Sequence, residues 1–313
     1  MMKKKIIIGL SSLATITVLG LAGAGLYFYD VAVAINKKDF LESNDKKVDK
    51  KDPWAAEKKW YTEADREEIK LTSNDDLVLS SIYIAAEKPS NKVVILAHGY
   101  SGNLEEMAPY AKLYHDMGFN ILAPDARGHG SSEGNYIGFG WPERKDYQQW
   151  IQLMIDKVGS DTEIALHGVS MGAATVMMTS GEKLPKNVKV IVEDCGYSSV
   201  TDELNVQLKE LYNLPSFPLV PITSVVTKIR AGYSFEEASA VEQVKKNKVP
   251  MLFIHGDQDS FVPTEMVYKV YEANASEKEL YIAPNSEHAK AYEKNKVEYS
   301  QKVQDFVGKY ISN

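Results

Sequence analysis

The hydrophobic pattern divides the chain into three stretches. From Ile6 to Tyr29 the residues are apolar or small and uncharged, preceded by Lys3, Lys4 and Lys5 and ended by Asp30. From Asn36 to Glu68 the chain is charged and nearly free of aliphatics, with Trp54, Trp60 and Tyr61 interrupting it. The remainder alternates short β-branched runs with longer amphipathic ones. Strands are predicted at Glu67–Thr72, Leu77–Ala85, Lys92–Ala97, Phe119–Ala123, Glu163–Leu166, Val188–Val192, Met251–Ile254 and Leu280–Ile282. Helices are predicted at Glu105–Met117, Arg144–Val158, Met171–Ser180, Thr264–Ala273 and Val297–Ile311. Continuous runs such as Val93-Val94-Ile95-Leu96 suit strands buried on both faces of a parallel sheet. Strand–helix alternation then gives a doubly wound, mostly parallel α/β sheet. The first two strands leave no room for a crossover helix, so an antiparallel edge is expected there.

Between the fourth and fifth of the strands after that edge the rhythm breaks. Residues 198–248 are far longer than one crossover needs and carry Leu-rich stretches around Pro215, Pro218 and Pro221. Insertions at the carboxyl ends of strands overlie the ligand crevice of an open α/β sheet. A small helical cap is therefore expected, within a catalytic domain spanning 67–313.

The N-terminal run is long enough to cross a hydrocarbon core of ~30 Å as a helix, whereas a cleaved signal peptide has an apolar core of about 7–15 residues. Tyr27, Phe28 and Tyr29 suit the far interface. The expectation is an uncleaved signal anchor over 1–35 and a charged tether over 36–66, so that the membrane is a partner of the chain. Lys37, Lys38, Lys46 and Lys47 follow the run, so the positive-inside rule alone does not orient it. The leading lysines resemble a secretion signal and favour an extracellular catalytic domain. Cleavage after Ala32-Val33-Ala34 is the alternative, and would release the protein.

Composition removes several classes. The formal net charge of −7 provides no basic footprint for nucleic acid. A single cysteine, Cys195, forbids an intrachain disulfide and reads as a small buried residue. No H-E-x-x-H occurs, and no cofactor or metal is expected.

Gly168-Val169-Ser170-Met171-Gly172 matches G-x-S-x-G, directly between a strand and a helix, the context in which a tight turn presents the serine hydroxyl. Serine is a weak nucleophile and needs a base, usually a histidine oriented by a carboxylate. With such an elbow the acid follows the serine and the histidine comes last. Of the six histidines only His255 and His288 follow Ser170. His255 precedes the acidic loop, which leaves His288 as base. Asp257 and Asp259 both lie in that loop, and chain order does not separate them; Asp194 is a more remote candidate. Oxyanion donors are expected from the backbone N–H groups of Met171 and, by analogy with the lipase-type His-Gly loop, Tyr100. His98 is expected to orient that loop and His129 to belong to a loop held by Asp125 and Arg127. His167 is expected to be packed and His115 to be exposed on a helix.

Together, His98-Gly99, Asp125-Ala126-Arg127-Gly128-His129-Gly130-Ser131, the Ser170 elbow, the Asp259 loop and His288 resemble the α/β-hydrolase superfamily. The resemblance runs from about Glu67 to the C-terminus. It is strongest to bacterial membrane-anchored hydrolases of the serine aminopeptidase-like and cinnamoyl-esterase-like group. In that group H-G-x-x-D-x-x-V-P places the acid where Asp259 stands. The resemblance implies a Ser170–Asp259–His288 triad acting on a small-molecule acyl ester or on a peptide. A peptidase would need acidic residues in the cap, and Glu203, Glu236 and Glu237 are available. A third reading is a surface scaffold that retains the fold without catalysis.

Overall fold

A computed structural model describes residues 19–35 and 52–311. Its centre is an eight-stranded sheet in the order β1-β2-β4-β3-β5-β6-β7-β8. β1 (Glu67–Thr72) and β2 (Val78–Ile84) form the antiparallel edge, and β2 pairs antiparallel with β4 (Asn120–Pro124). From there β4, β3 (Lys92–Ala97), β5 (Glu163–Val169), β6 (Val188–Asp194), β7 (Met251–Gly256) and β8 (Lys278–Ala283) run parallel. The chain winds outward from β3 in both directions, so the crevice at the carboxyl ends of β3 and β5 is where such sheets bind ligands.

The strands' apolar runs divide between two cores. Val93, Ile95 and Ala97 point to one face, Val94 and Leu96 to the other, and all are buried. The first face is covered by α4 (Glu143–Val158), α5 (Met171–Ser180), α8 (Ala240–Val244) and α9 (Glu265–Ala273). The second is covered by α2 (Ala55–Glu63), α3 (Ala108–Asp116), α10 (Ala291–Lys294) and α11 (Lys296–Gly308). The predicted helix from Glu105 begins as a 3-10 turn, Leu104–Met107, because Asn103 caps Glu105 N–H and Pro109 opens α3. His115 is buried rather than exposed: its Nε2 lies 3.1 Å from the Ala85 carbonyl and Trp60 packs on its ring. The aromatic end of the charged stretch covers that side of α3, which charge pattern alone does not indicate.

Between β6 and β7 the chain forms α6 (Val200–Tyr212), α7 (Ser216–Ala231) and α8. Ser199 caps α6 by accepting the Asp202 N–H. The N-terminal helix α1 spans 19–32 and lies against α7, where Gly25 allows close approach; a Cβ there would sit 3.1 Å from Val226 Cγ2. Phe28 packs edge-on to Tyr212, and Ile137 N–H donates to Val33 O. Among the described residues no helix is long and apolar enough to cross a membrane. The first eighteen residues of the expected anchor, and residues 36–51 of the expected tether, lie outside the described residues.

Candidate active site

Ser170 caps α5 with φ 57° and ψ −118°, a left-handed conformation that a side-chain-bearing residue adopts only when its surroundings enforce it. Both elbow glycines are sterically required. A Cβ on Gly168 would fall 2.1 Å from Gly172 O, and one on Gly172 would fall 2.0 Å from Ala97 O. Ser170 N–H donates to Asp194 O, which ties the elbow to the end of β6.

The structure brings Ser170, His288 and Asp259 into one hydrogen-bonded line. His288 Nε2 is 2.8 Å from Ser170 Oγ, and His288 Nδ1 is 2.8 Å from Asp259 Oδ2. Asp259 is fully buried, and its Oδ1 accepts the N–H groups of Phe261 and Val262. Burial pushes its carboxyl pKa up, but hydrogen bonds from His255 and His288 outweigh this and hold it below the usual range. Asp257 is exposed and accepts the Ser286 N–H, the role of a turn former. Asp194 is buried and held by Tyr299 O–H at 2.8 Å; loss of solvation raises its pKa to about 6.

His255, set aside on chain order, is a residue whose position the sequence did not reveal. Its Nε2 lies 3.2 Å from Asp259 Oδ2 and 2.8 Å from Val262 O, so it braces the same carboxylate oxygen that His288 contacts. Cys195 is buried, and its Sγ lies within 4.8 Å of ligand-capable atoms of Asp259 and His288. Burial pushes the thiol pKa well up, and the Asp and His atoms already bond each other, so the Cys195 thiol lies as a neutral, buried neighbour of that pair.

The loop after β3 is equally constrained. His98 Nδ1–H donates to Gly99 O while Nε2 accepts Ala126 N–H, and burial lowers its pKa to about 3, which keeps the ring neutral in that tautomer. His129 lies with Nε2 at 2.7 Å from Tyr100 O and Nδ1 at 2.9 Å from Arg127 O. Asp125 accepts N–H from Leu104 and Ser131, and Arg127 makes a paired bridge to buried Asp146. Tyr100 is thereby held beside the Ser170 turn, and Met171 N–H sits at the first position of α5, where no helical acceptor exists. His167 is packed between the hydroxyls of Tyr114 and Tyr299.

Over Ser170 lies a cavity of about 90 Å³ whose walls are almost wholly apolar. Tyr197, Leu208 and Val220 contribute from the core and the cap, and Phe28, Val31 and Ala32 from α1. The sequence pattern of α1 suggests a membrane anchor and gives no sign of this place in the cavity wall. Among the described residues Glu203 is the one carboxylate in the wall, whereas Glu236 and Glu237 are exposed and bonded to Ser224 and Lys228. Burial raises the Glu203 pKa to about 8, so it is mostly a neutral acid at pH 7.

A serine on a strand–helix elbow, at the carboxyl edge of a doubly wound sheet with a helical insertion above it, defines an α/β hydrolase. Solved structures of that class share the fold. The esterase Pf2001 of Pyrococcus furiosus superposes with a TM-score of 0.66 at 24% identity, covering 80% of this chain and 94% of that one. The acylaminoacyl peptidase of Pyrococcus horikoshii superposes with a TM-score of 0.59 at 16% identity, over 79% of this chain and 42% of that one. The prolyl oligopeptidase family model matches residues 106–313, and the chain belongs to that family. Its relatives include the uncharacterized protein YqkD of Bacillus subtilis, 34% identical over 225 residues, which are 72% of this chain and 74% of that protein.

Proposed function

We propose that the protein hydrolyses a carboxylic ester with an apolar acyl group through an acyl-enzyme on Ser170. The observation that carries this reading is the Ser170–His288–Asp259 line opening onto a nearly all-apolar cavity. In the first step His288 Nε2 takes the Ser170 proton as Oγ adds to the ester carbonyl. Asp259 holds Nδ1–H and stabilises the imidazolium that forms. Met171 and Tyr100 N–H groups receive the oxyanion, a contribution worth roughly 2.7–4 kcal/mol per donor in other serine hydrolases. His288 then returns the proton to the leaving alcohol, and water repeats the sequence to release the acid.

The family's name and the P. horikoshii peptidase favour a second reading, cleavage of an amide. Peptide selection by a charged amino terminus needs anionic partners, and among the described residues the almost wholly apolar wall offers one carboxylate, Glu203. The ester reading therefore stands first. Matched rates on p-nitrophenyl acyl esters and aminoacyl p-nitroanilides test it: faster ester turnover is expected, and faster amide turnover would overturn it.

A further inference from the structure

Hydrolysis at Ser170 leaves one feature of the surface unexplained. Among the described residues, ten of the thirteen exposed large hydrophobic side chains fall within 19–35 and 211–229, the stretches that form α1, the end of α6 and α7. On α7, Val225 and Ile229 are four residues apart and share an outward face; Ile229 and Phe217 are both 78% exposed. Beside them α1 turns Leu26 and Tyr27 outward, while Gly25 and Phe28 face α7 and α6. The two helices therefore present one continuous apolar surface.

Three observations identify what covers it. First, up to the exposed Asp30 in its last turn, α1 is apolar on both its packed and its outer sides, and a helix that is hydrophobic all round belongs in a protein core or in lipid. The sequence upstream continues this character back to Ile6, behind three lysines. Second, Tyr27, Tyr212 and Phe217 lie on the surface with exposed Lys228 and Arg230 at its edge, the mixture favoured at a membrane interface. Third, Leu211 and Tyr212 are exposed on this surface and also line the cavity over Ser170, so the surface runs into the pocket.

We propose that the α1–α7 face is seated in a lipid bilayer and that the pocket draws its acyl ester from that membrane. The second clause rests on the ester reading; the first does not. The test uses the full chain reconstituted in phosphatidylcholine vesicles, with an environment-sensitive dye on Val225→Cys or on Val297→Cys, a position 86% exposed on α11. The native Cys195 is buried, and unsubstituted protein serves as the labelling blank. Lipids carrying a quencher in their acyl chains should quench the dye at 225 and leave that at 297 unchanged. Equal quenching at both sites overturns the seat. A blue-shifted but unquenched dye at 225 also overturns it, because a second copy of the chain would then be the cover.

For delivery, the double variant Val225→Asp, Ile229→Asp should hydrolyse a long-chain ester in vesicles at least about tenfold more slowly, as two apolar contacts with lipid are lost. Its rate on a soluble short-chain ester should match the wild type. An unchanged vesicle rate, or equal loss on both substrates, overturns delivery. A wild type inert on both esters overturns the ester reading and delivery together, and leaves the dye result to decide the seat.

Discussion

Asp259→Asn is the perturbation whose consequence follows most closely from the geometry. Asp259 Oδ1 accepts two backbone N–H groups, from Phe261 at 3.0 Å and Val262 at 2.9 Å, so an asparagine must place its carbonyl oxygen there. Its NH₂ then occupies the Oδ2 position, 2.8 Å from His288 Nδ1 and 3.2 Å from His255 Nε2, two rings that can change tautomer where the backbone donors at Oδ1 cannot. That amide donates to Nδ1, and the ring proton moves to Nε2, facing Ser170 Oγ. A histidine in this tautomer has no lone pair with which to take the serine proton. Loss of the correct tautomer costs on the order of 10⁴ in kcat, about 5.5 kcal/mol of barrier. KM should change little, because Asp259 is not part of the cavity wall. The assay is steady-state hydrolysis of a p-nitrophenyl acyl ester, with a thermal melt to verify folding. Asp257→Asn serves as the comparison: this exposed residue accepts only the Ser286 N–H, and its loss should leave kcat within about threefold. A folded Asp259→Asn that retains kcat within tenfold, or an Asp257→Asn equally impaired, would refute the reasoning.

Three further outcomes follow from other parts of the structure. Asp146→Ala should destabilise the fold by about 3–5 kcal/mol in urea titration, since among the described residues it leaves buried Arg127 bridged only to the exposed Asp75. Phe28→Ala should lower kcat/KM for long-chain esters by roughly 10–200-fold, one apolar wall contact, and spare short-chain esters; equal loss on both would remove α1 from the proposed acyl site. Burial raises the Glu193 pKa from 4.5 to about 8, so the folded state holds this proton more tightly than the unfolded state. Stability from that group is complete below about pH 4.5 and lost as pH rises through about 8. Glu193→Gln should therefore gain on wild type by a few kcal/mol at pH 9 and not at pH 5; an identical difference in melting temperature at both pH values contradicts the assignment.

The centre of the sheet was legible because β3 to β7 are buried on both faces, the setting that continuous runs such as Val93–Leu96 suit. The elbow was legible because backbone crowding at Gly168 and Gly172 excludes other residues, which makes the motif a direct record of geometry. Asp257 and Asp259 could not be separated by chain order; resemblance chose Asp259, and tertiary packing is what buries one and exposes the other. His255 illustrates the converse limit. It was judged only as a base, whereas its position behind Asp259 depends on how the loop after β7 folds back. The reading of 1–35 as a single anchor did not reveal the pocket wall, for a physical reason. An apolar helix looks the same in sequence whether lipid or protein surrounds it, so nothing in Phe28, Val31 or Ala32 indicates which.

The central claim is an activated serine at position 170, and covalent labelling tests it most directly. A fluorophosphonate probe should label the full-length protein once, at Ser170 by peptide mapping. Labelling should vanish in Ser170→Ala and fall by at least about a hundredfold in rate in His288→Ala, the size expected for losing a general base. A well-folded wild type that resists the probe, or labelling that persists without Ser170, would contradict the account.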